Sequence, residues 1–186
     1  TTYFRPGTYG YQQHMWYAAL DGEASIFVTH PGSTSEEGDM RPGYWHGNGV
    51  MPALKQQHGL LGGIYVIPDE HPIGYTHLYC PECRFDEVIH EENWIFLRKE
   101  TGYLALWCSE KMEAHNGMNF NCEQRAYSKN AAYLCVCGGK KSDASFAAFI
   151  KRAKETSPSY DKESKTLTAQ NFELSYVACK DVTQFL

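Results

Sequence analysis

Amide, imidazole and indole side chains alternate near the start of the chain. The segment 10–20 reads GYQQHMWYAAL, in which Gln12, His14 and Trp16 are spaced two residues apart. Side chains at this spacing lie on one face of a β-strand, so the three groups are predicted to share a surface. A Trp ring can stack on the C–H groups of a sugar while Gln and His hydrogen-bond hydroxyls or a carboxylate. The alternative is a packed sheet face on which His14 has only a structural role.

A second histidine, His30, ends an apolar run directly before Pro31 and a long polar loop. Functional side chains are frequent where a rigid strand passes into a loop. An imidazole titrates near neutral pH and can act as a base or stabilise developing charge. We therefore predict that His14 and His30 are catalytic if they converge, with a structural His30 as the alternative.

Aromatic and polar side chains are concentrated after this loop, where the segment 41–52 reads RPGYWHGNGVMP. A guanidinium at Arg41 can hold a carboxylate through two parallel hydrogen bonds. Aromatic residues flanked by glycines indicate either a shaped binding surface or a loop packed by its own rings. The predicted substrate-binding residues are Gln12, Trp16, Arg41, Tyr44, Trp45, His46 and Asn48.

The segments that must position these residues have the pattern of antiparallel sheets. Short runs of strand character at 11–20, 24–30, 59–68 and 74–79 alternate with Gly and Pro. Residues 94–98 and 103–108 flank a turn that contains Gly102, which predicts a hairpin. The polar stretch 109–129 is interpreted as a long loop or an irregular pairing, and strand character resumes at 131–137 and again near the end of the chain.

A helical period follows the Gly138-Gly139 pair, since Phe146, Phe149, Ile150 and Ala153 are spaced to share one helix face. Ser142 is predicted to cap the start of this helix. The predicted fold is mainly β: an antiparallel two-sheet β-sandwich with one amphipathic α-helix near residues 142–155, packed on a sheet or on a sheet edge. The whole chain, 1–186, is predicted to be a single sandwich-like domain, the C-terminal part of a longer chain.

The seven cysteines leave one unpaired if the others form disulfides. Cys80, Cys83, Cys135 and Cys137 resemble the two thiolate pairs of a zinc ribbon. The second pair is C-x-C on a predicted strand, which leaves little room to wrap an ion. Buried or disulfide-bonded cysteines are therefore favoured over zinc, and no cofactor is predicted.

Charge and hydropathy restrict the partners. The chain carries 22 acidic and 17 basic residues, for a formal net charge of −5, and its basic residues form no long stripe. Nucleic acid is therefore a poor candidate partner. No apolar run has the length needed to cross a bilayer, so no membrane span is predicted.

Several of these segments resemble the carboxy-terminal β-sheet region of heparinase II/III-like polysaccharide lyases and related bacterial proteins. The resemblance rests on GYQQHMWYAAL at 10–20, FVTHPGS at 27–33 and RPGYWHGNGVMP at 41–52. Weaker matches are GYTHLY at 74–79 with FDEV at 85–88, and SFAAF at 145–149. These matches are short motifs spread over most of the chain.

The resemblance implies a function and a partner domain. Such lyases place a β-sandwich after an α/α toroid and cleave uronate-containing glycans by β-elimination, so it implies a polysaccharide or oligosaccharide partner, an upstream domain and a secreted or cell-surface location. The H-x-H-x-x-D motif of that family is absent, and its toroid Tyr and Asn have no counterpart in the sequence. The alternatives are a non-catalytic carbohydrate-binding or structural sandwich and, third, a cysteine-based metal-binding module.

Overall fold

The computed structural model describes residues 17–20, 24–34, 44–45, 49–117 and 120–177. The strands within these ranges are β1 Tyr17–Leu20, β2 Ala24–Thr29, β3 Ala53–Gln57, β4 Leu60–Val66, β5 Thr76–Tyr79, β6 Glu87–Glu91, β7 Trp94–Arg98, β8 Tyr103–Cys108, β9 Met112–Gly117, β10 Phe120–Ala126, β11 Asn130–Gly138, β12 Ser159–Asp161, β13 Thr166–Ala169 and β14 Phe172–Ser175. A short 3-10 helix spans Glu82–Arg84, and the helix α1 spans Phe146–Glu155.

These strands form three antiparallel sheets in the described part of the chain. Sheet A has the order β1-β2-β5-β10-β9, sheet B the order β3-β4-β11-β8-β7-β6, and sheet C the order β12-β13-β14. Sheets A and B pack face to face, which confirms the predicted mainly β, two-sheet sandwich. Sheet C is a small addition that the sequence analysis did not separate from the sandwich.

The core between sheets A and B follows from strand alternation. Ile26 and Val28 of β2 and Leu78 of β5 point inward and are fully or almost fully buried. They pack with buried side chains from sheet B, including Leu104 and Leu106 of β8. The residues between them, such as Phe27 and His77, therefore project from the opposite face of sheet A.

The other face of sheet B is buried too, under α1 and sheet C. Phe96 and Leu134 lie in one cluster with Phe149 and Phe172. At Gly62 of β4 a Cβ atom would stand 2.6 Å from the Phe172 ring, so only glycine permits this approach. Burial on both faces explains the uninterrupted apolar run of β11, in which every residue from 131 to 136 is buried.

The predicted helix is present, with a later start than expected. Helix α1 begins at Phe146, and the Ser145 side chain caps it by accepting a 3.1 Å hydrogen bond from the Ala148 N–H. Ser142 is wrong as the cap, because its hydroxyl lies in the preceding turn and donates to the Gly139 carbonyl at 3.0 Å. The apolar face of α1 packs on sheet B, as predicted.

The stretch 109–129 contains two strands rather than a long loop. β9 and β10 pair with a register shift between Phe120 and Glu123, which is the irregular pairing given as the second interpretation. The predicted hairpin of β7 and β8 is confirmed. Among the described residues, no helix has the length and apolar character required to cross a membrane.

Candidate functional site

The outer face of sheet A, which points away from sheet B, carries polar and aromatic side chains. Thr29 of β2 lies opposite His77 of β5, and Phe27 lies opposite Tyr79. On the other side of β5, β10 places Arg125 opposite His77 and a carboxylate opposite Tyr79. Because these residues alternate with inward-pointing ones, they form one surface.

A buried carboxylate lies at the centre of this surface. The Glu123 Oε1 atom accepts hydrogen bonds from the Tyr44 hydroxyl, from Arg125 Nε at 2.7 Å and from His77 Nδ1 at 3.2 Å. Arg125 Nη2 also donates to the Tyr44 hydroxyl oxygen at 2.6 Å. Tyr44, His77, Glu123 and Arg125, which we call the carboxylate network, are each at most 8% exposed.

The network fixes the protonation of its members. Burial alone would raise the pKa of Glu123, but the hydrogen bonds from His77, Arg125 and Tyr44 lower it to about 2. Burial and the hydrogen bond to Glu123 raise the pKa of Tyr44 well above its usual range. Glu123 is therefore a carboxylate and Tyr44 a neutral donor at physiological pH. A neutral, buried Tyr44 is poorly suited to act as a base.

The Tyr44–Trp45 segment lies against the sheet at this point. The Trp45 ring stacks on His77 with ring centroids 4.3 Å apart and planes 9° apart. The Trp45 ring also forms T-shaped pairs with Phe27 and Tyr79, with ring centroids 5.9 and 5.7 Å apart. The structure therefore brings the predicted Tyr44 and Trp45 to the outer face of sheet A, with the Tyr44 hydroxyl held inside the carboxylate network.

His30 holds the two ends of the long loop together. Its Nδ1 atom accepts a 2.9 Å hydrogen bond from the Val50 N–H, and its Nε2 atom lies 3.1 Å from the Ile73 carbonyl. Burial lowers the pKa of His30 to about 4, so the ring is neutral, with Nε2–H donating to Ile73. At Gly49 a Cβ atom would stand 1.8 Å from His30 Nδ1, which explains the glycine.

These contacts favour a structural role for His30. Both ring nitrogens are engaged with backbone groups and the side chain is fully buried. A base must present a free nitrogen to the proton that it removes. The catalytic assignment of His30 stays a prediction, and His14 lies outside the described residues.

A cavity opens beside the network, toward the edge formed by β1 and β2. Its volume is about 490 Å³, and it is lined by Tyr17, Ala19, Ala24, Ser25, Tyr79, Pro81 and Arg84. Tyr17 is 53% exposed, while Tyr79 stacks on Phe27 with ring centroids 4.9 Å apart. The Arg84 side chain is exposed and forms no ion pair with any residue that the structure describes. Two tyrosines and an arginine therefore line the same space.

The remaining predicted site residues cannot be placed. Gln12, His14, Trp16, Arg41, His46 and Asn48 all lie outside the described residues. Their assignments as substrate-binding or catalytic residues stay predictions.

Four charged or polar members of this surface were not predicted from the sequence: His77, Arg84, Glu123 and Arg125. The signal of His77, Glu123 and Arg125 was available as alternation, because His77-Leu-Tyr79 and Glu123-Gln-Arg125 each place two polar or aromatic side chains on one strand face. What the sequence did not reveal is that the two strands are neighbours.

The cysteines considered for zinc are divided between two parts of the sandwich. Cys80 and Cys83 lie at the turn after β5 in sheet A, whereas Cys135 and Cys137 lie on β11 in sheet B. Within the described ranges, no group of three or more His, Cys, Asp or Glu residues is arranged to hold a metal ion. The predicted absence of zinc stays a prediction.

Comparison of the chain with models of protein families, with curated proteins and with solved structures finds no match.

Proposed function

We propose that the outer face of sheet A binds a uronate-containing polysaccharide, and that the chain serves as the β-sandwich domain of a polysaccharide lyase. The observation that carries the proposal is the cavity lined by Tyr17, Tyr79 and the exposed Arg84. The resemblance of three sequence segments to lyase β-domains supports it, and two of them meet at this face through the contact of Phe27 with Trp45.

The cavity has the size and chemistry for an acidic sugar. A volume of about 490 Å³ lies within the range of small-ligand sites. Tyrosine rings offer flat apolar surfaces to the C–H groups of a pyranose ring and hydroxyls to its polar edge. Arg84 adds the planar fork of donors that matches a carboxylate. A uronate residue is the sugar that uses both features.

The carboxylate network gives this surface its rigidity. It holds Tyr44 and thereby the stacked Trp45, which contacts Tyr79 at the cavity wall. Side chains that are fixed before the ligand arrives lose less entropy on binding. The buried charges of Glu123 and Arg125 therefore contribute to binding by positioning the aromatic wall rather than by touching the sugar.

β-Elimination requires two functions at the uronate. A base removes the proton α to the carboxylate, and a cation or donor neutralises the charge that moves onto the carboxylate as the enolate forms. In our proposal Arg84 supplies the second function. The base comes from outside the described residues, with His14 or a residue of an upstream domain as the candidates.

A specific observation favours a second candidate, a non-catalytic carbohydrate-binding module. The described residues that line the cavity include no His, Asp or Glu, so they offer a binding surface without a carboxylate or imidazole base. The two candidates differ in one product. A lyase generates an unsaturated uronate that absorbs in the ultraviolet, whereas a binding module leaves the polymer intact.

The first test is calorimetric titration of the protein with short oligouronates. Arg84→Gln is expected to weaken binding by roughly 10- to 100-fold, because a charge-assisted hydrogen bond contributes about 1.5–3 kcal/mol. Arg98→Gln is the matched control, since Arg98 pairs with Glu87 in sheet B, away from the cavity. Unchanged affinity in Arg84→Gln, or no binding of any uronate by the unaltered protein, would contradict the proposal.

A further inference from the structure

Cys80 and Cys122 face each other across two neighbouring strands of sheet A. Tyr79 pairs with Glu123, so the next pair of this antiparallel register is Cys80 with Cys122. The Cys80 N–H donates to the Cys122 carbonyl at 2.7 Å, which confirms the pairing. Directly opposed residues project their side chains to the same face of a sheet.

This position meets the main geometric requirement of a disulfide. Opposed residues of an antiparallel pair have Cα atoms about 4.5–5.5 Å apart. Disulfides join residues whose Cα atoms are about 4.4–6.8 Å apart. The spacing of the two strands is therefore compatible with a bond between the two sulfurs.

The surroundings of the two thiols differ. Cys80 is 1% exposed and belongs to the core between sheets A and B, whereas Cys122 is partly exposed. Cys80 and Cys122 are both free thiols in the structure. A soluble reagent can therefore reach Cys122 first and leave Cys80 to react from inside the protein.

We propose that Cys80 and Cys122 form a redox-dependent cross-strand disulfide that ties β5 to β10. His77 and Tyr79 lie on β5, and Glu123 and Arg125 lie on β10. The bond would therefore hold together the two strands that carry these residues on the outer face of sheet A. The inference rests on the register and on the burial of the two cysteines, and it is independent of which ligand that face binds.

The oxidant in this proposal is a low-molecular-weight disulfide such as glutathione disulfide. The Cys122 thiolate attacks one sulfur of the reagent, forms a mixed disulfide and releases one reagent thiolate. The Cys80 thiolate then attacks the Cys122 sulfur and displaces the second reagent thiolate. The two protein thiols lose two protons and two electrons, and the reagent is reduced to two thiols.

The rate of the second step, in which the Cys80 thiolate attacks the mixed disulfide at Cys122, is expected to depend on pH. Burial raises the pKa of the Cys80 thiol well above its usual range, so little of it is ionised at neutral pH. Conversion of the mixed disulfide into the protein disulfide is therefore expected to accelerate as the pH rises.

Cys83 is the competing thiol and supplies the control. It is exposed and lies in the short 3-10 helix, three positions after Cys80 and outside the strand register. If register decides the partner, Cys83→Ser leaves the bond intact, whereas Cys122→Ser abolishes it.

The experiment is peptide mapping by mass spectrometry after the protein is equilibrated with glutathione disulfide. We expect a peptide pair that joins Cys80 to Cys122, in the unaltered protein and in Cys83→Ser, with five of the seven cysteines still reactive in denaturant. The oxidised protein is expected to melt about 5–10 °C higher than the reduced protein. A bond from either cysteine to any other thiol, or only glutathione adducts, would overturn the proposal.

Discussion

Glu123 is the side chain on which the outer face of sheet A depends. Its carboxylate is 4% exposed and accepts hydrogen bonds from three different side chains. An ion pair at this depth stabilises a fold only when its remaining hydrogen-bonding groups are satisfied, because both charges have left water. Removing the charge of Glu123 takes away the carboxylate that Arg125 Nε contacts at 2.7 Å in this buried site.

We expect Glu123→Gln to lower the free energy of unfolding by about 2–4 kcal/mol, because it removes the charge that the buried donors of Arg125, Tyr44 and His77 share. Urea denaturation measures this change. Glu100→Gln is the matched control, since exposed Glu100 lies in the turn between β7 and β8, outside the network, and its loss is expected to change stability by less than about 0.5 kcal/mol. Equal stability of the two variants would show that the network does not hold this face together.

The burial of His30 is expected to make the free energy of unfolding depend on pH, in a range above that of Glu123. Its pKa is lowered from 6.5 to about 4 by burial, so between these values the unfolded chain binds a proton that the folded chain does not. Stability is therefore lost as the pH falls from about 6.5 to about 4, by an amount on the order of 2–3 kcal/mol. Protonation of Glu123 also reduces the stability of the fold, but this loss occurs at lower pH, between the ordinary pKa of a glutamate and the lowered pKa of about 2.

Urea denaturation at pH 7 and at pH 5 tests this assignment. His30→Gln is expected to be less stable than the unaltered protein at pH 7 and to lose less stability on acidification, because it has no imidazole to protonate. His90→Gln, which alters an exposed histidine paired with Glu82, is expected to keep the original pH dependence. A pH dependence that survives in His30→Gln would locate its origin elsewhere.

At the scale of elements, an ion pair with a buried carboxylate reinforces the packing of α1 on sheet B. Arg152 donates two hydrogen bonds to the Asp143 carboxylate, at 2.7 and 2.8 Å, and a third to the Cys137 carbonyl at 3.1 Å. Asp143 is 3% exposed, and the adjacent Arg152 lowers its pKa. These contacts connect the helix to the turn before it and to the end of β11.

We expect Arg152→Ala to lower the free energy of unfolding by about 2–3 kcal/mol, since it leaves a buried carboxylate without its guanidinium partner. Lys151→Ala is the control on the same helix, because its ion pair with Glu155 is fully on the surface and is expected to contribute at most about 0.5 kcal/mol. Thermal denaturation monitored by circular dichroism compares the two, and similar melting temperatures would contradict the importance of this attachment.

Several elements could be predicted from local patterns. The β7–β8 hairpin has a turn glycine between two apolar runs, and α1 has apolar residues at helical spacing. The start of the helix was predicted three residues early, because both Ser142 and Ser145 are suitable caps and only the tertiary contacts of Asp143 distinguish them. β9 and β10 were difficult to predict because their pairing is interrupted by a register shift.

At the scale of the whole molecule, sheet A is the layer that combines a core face with a polar, aromatic outer face. Sheet B is covered on both sides, by sheet A on one and by α1 with sheet C on the other. The described cavity lies on the outer face of sheet A, at the edge formed by β1 and β2 and beside the buried carboxylate network.

The candidate site could be predicted only in part, because its residues are distant in the sequence. Tyr44 and Trp45 stood out as aromatic residues among glycines, whereas Glu123 lies 79 positions from Tyr44 and 46 from His77. Contacts over such separations depend on the order of strands in the sheet, which alternation along a single strand does not specify. Arg84 was missed because nothing in its local sequence distinguishes it from other surface cations.

The most direct test of the central claim compares two ligands that differ only in charge. One is an oligouronate, and the other is the same oligosaccharide with its carboxyl groups reduced to alcohols. If the cavity beside Arg84 binds a uronate, calorimetry gives an affinity at least about tenfold higher for the acidic form, and Arg84→Gln removes that difference. Equal affinity for the two ligands, or a preference that survives in Arg84→Gln, would contradict the account.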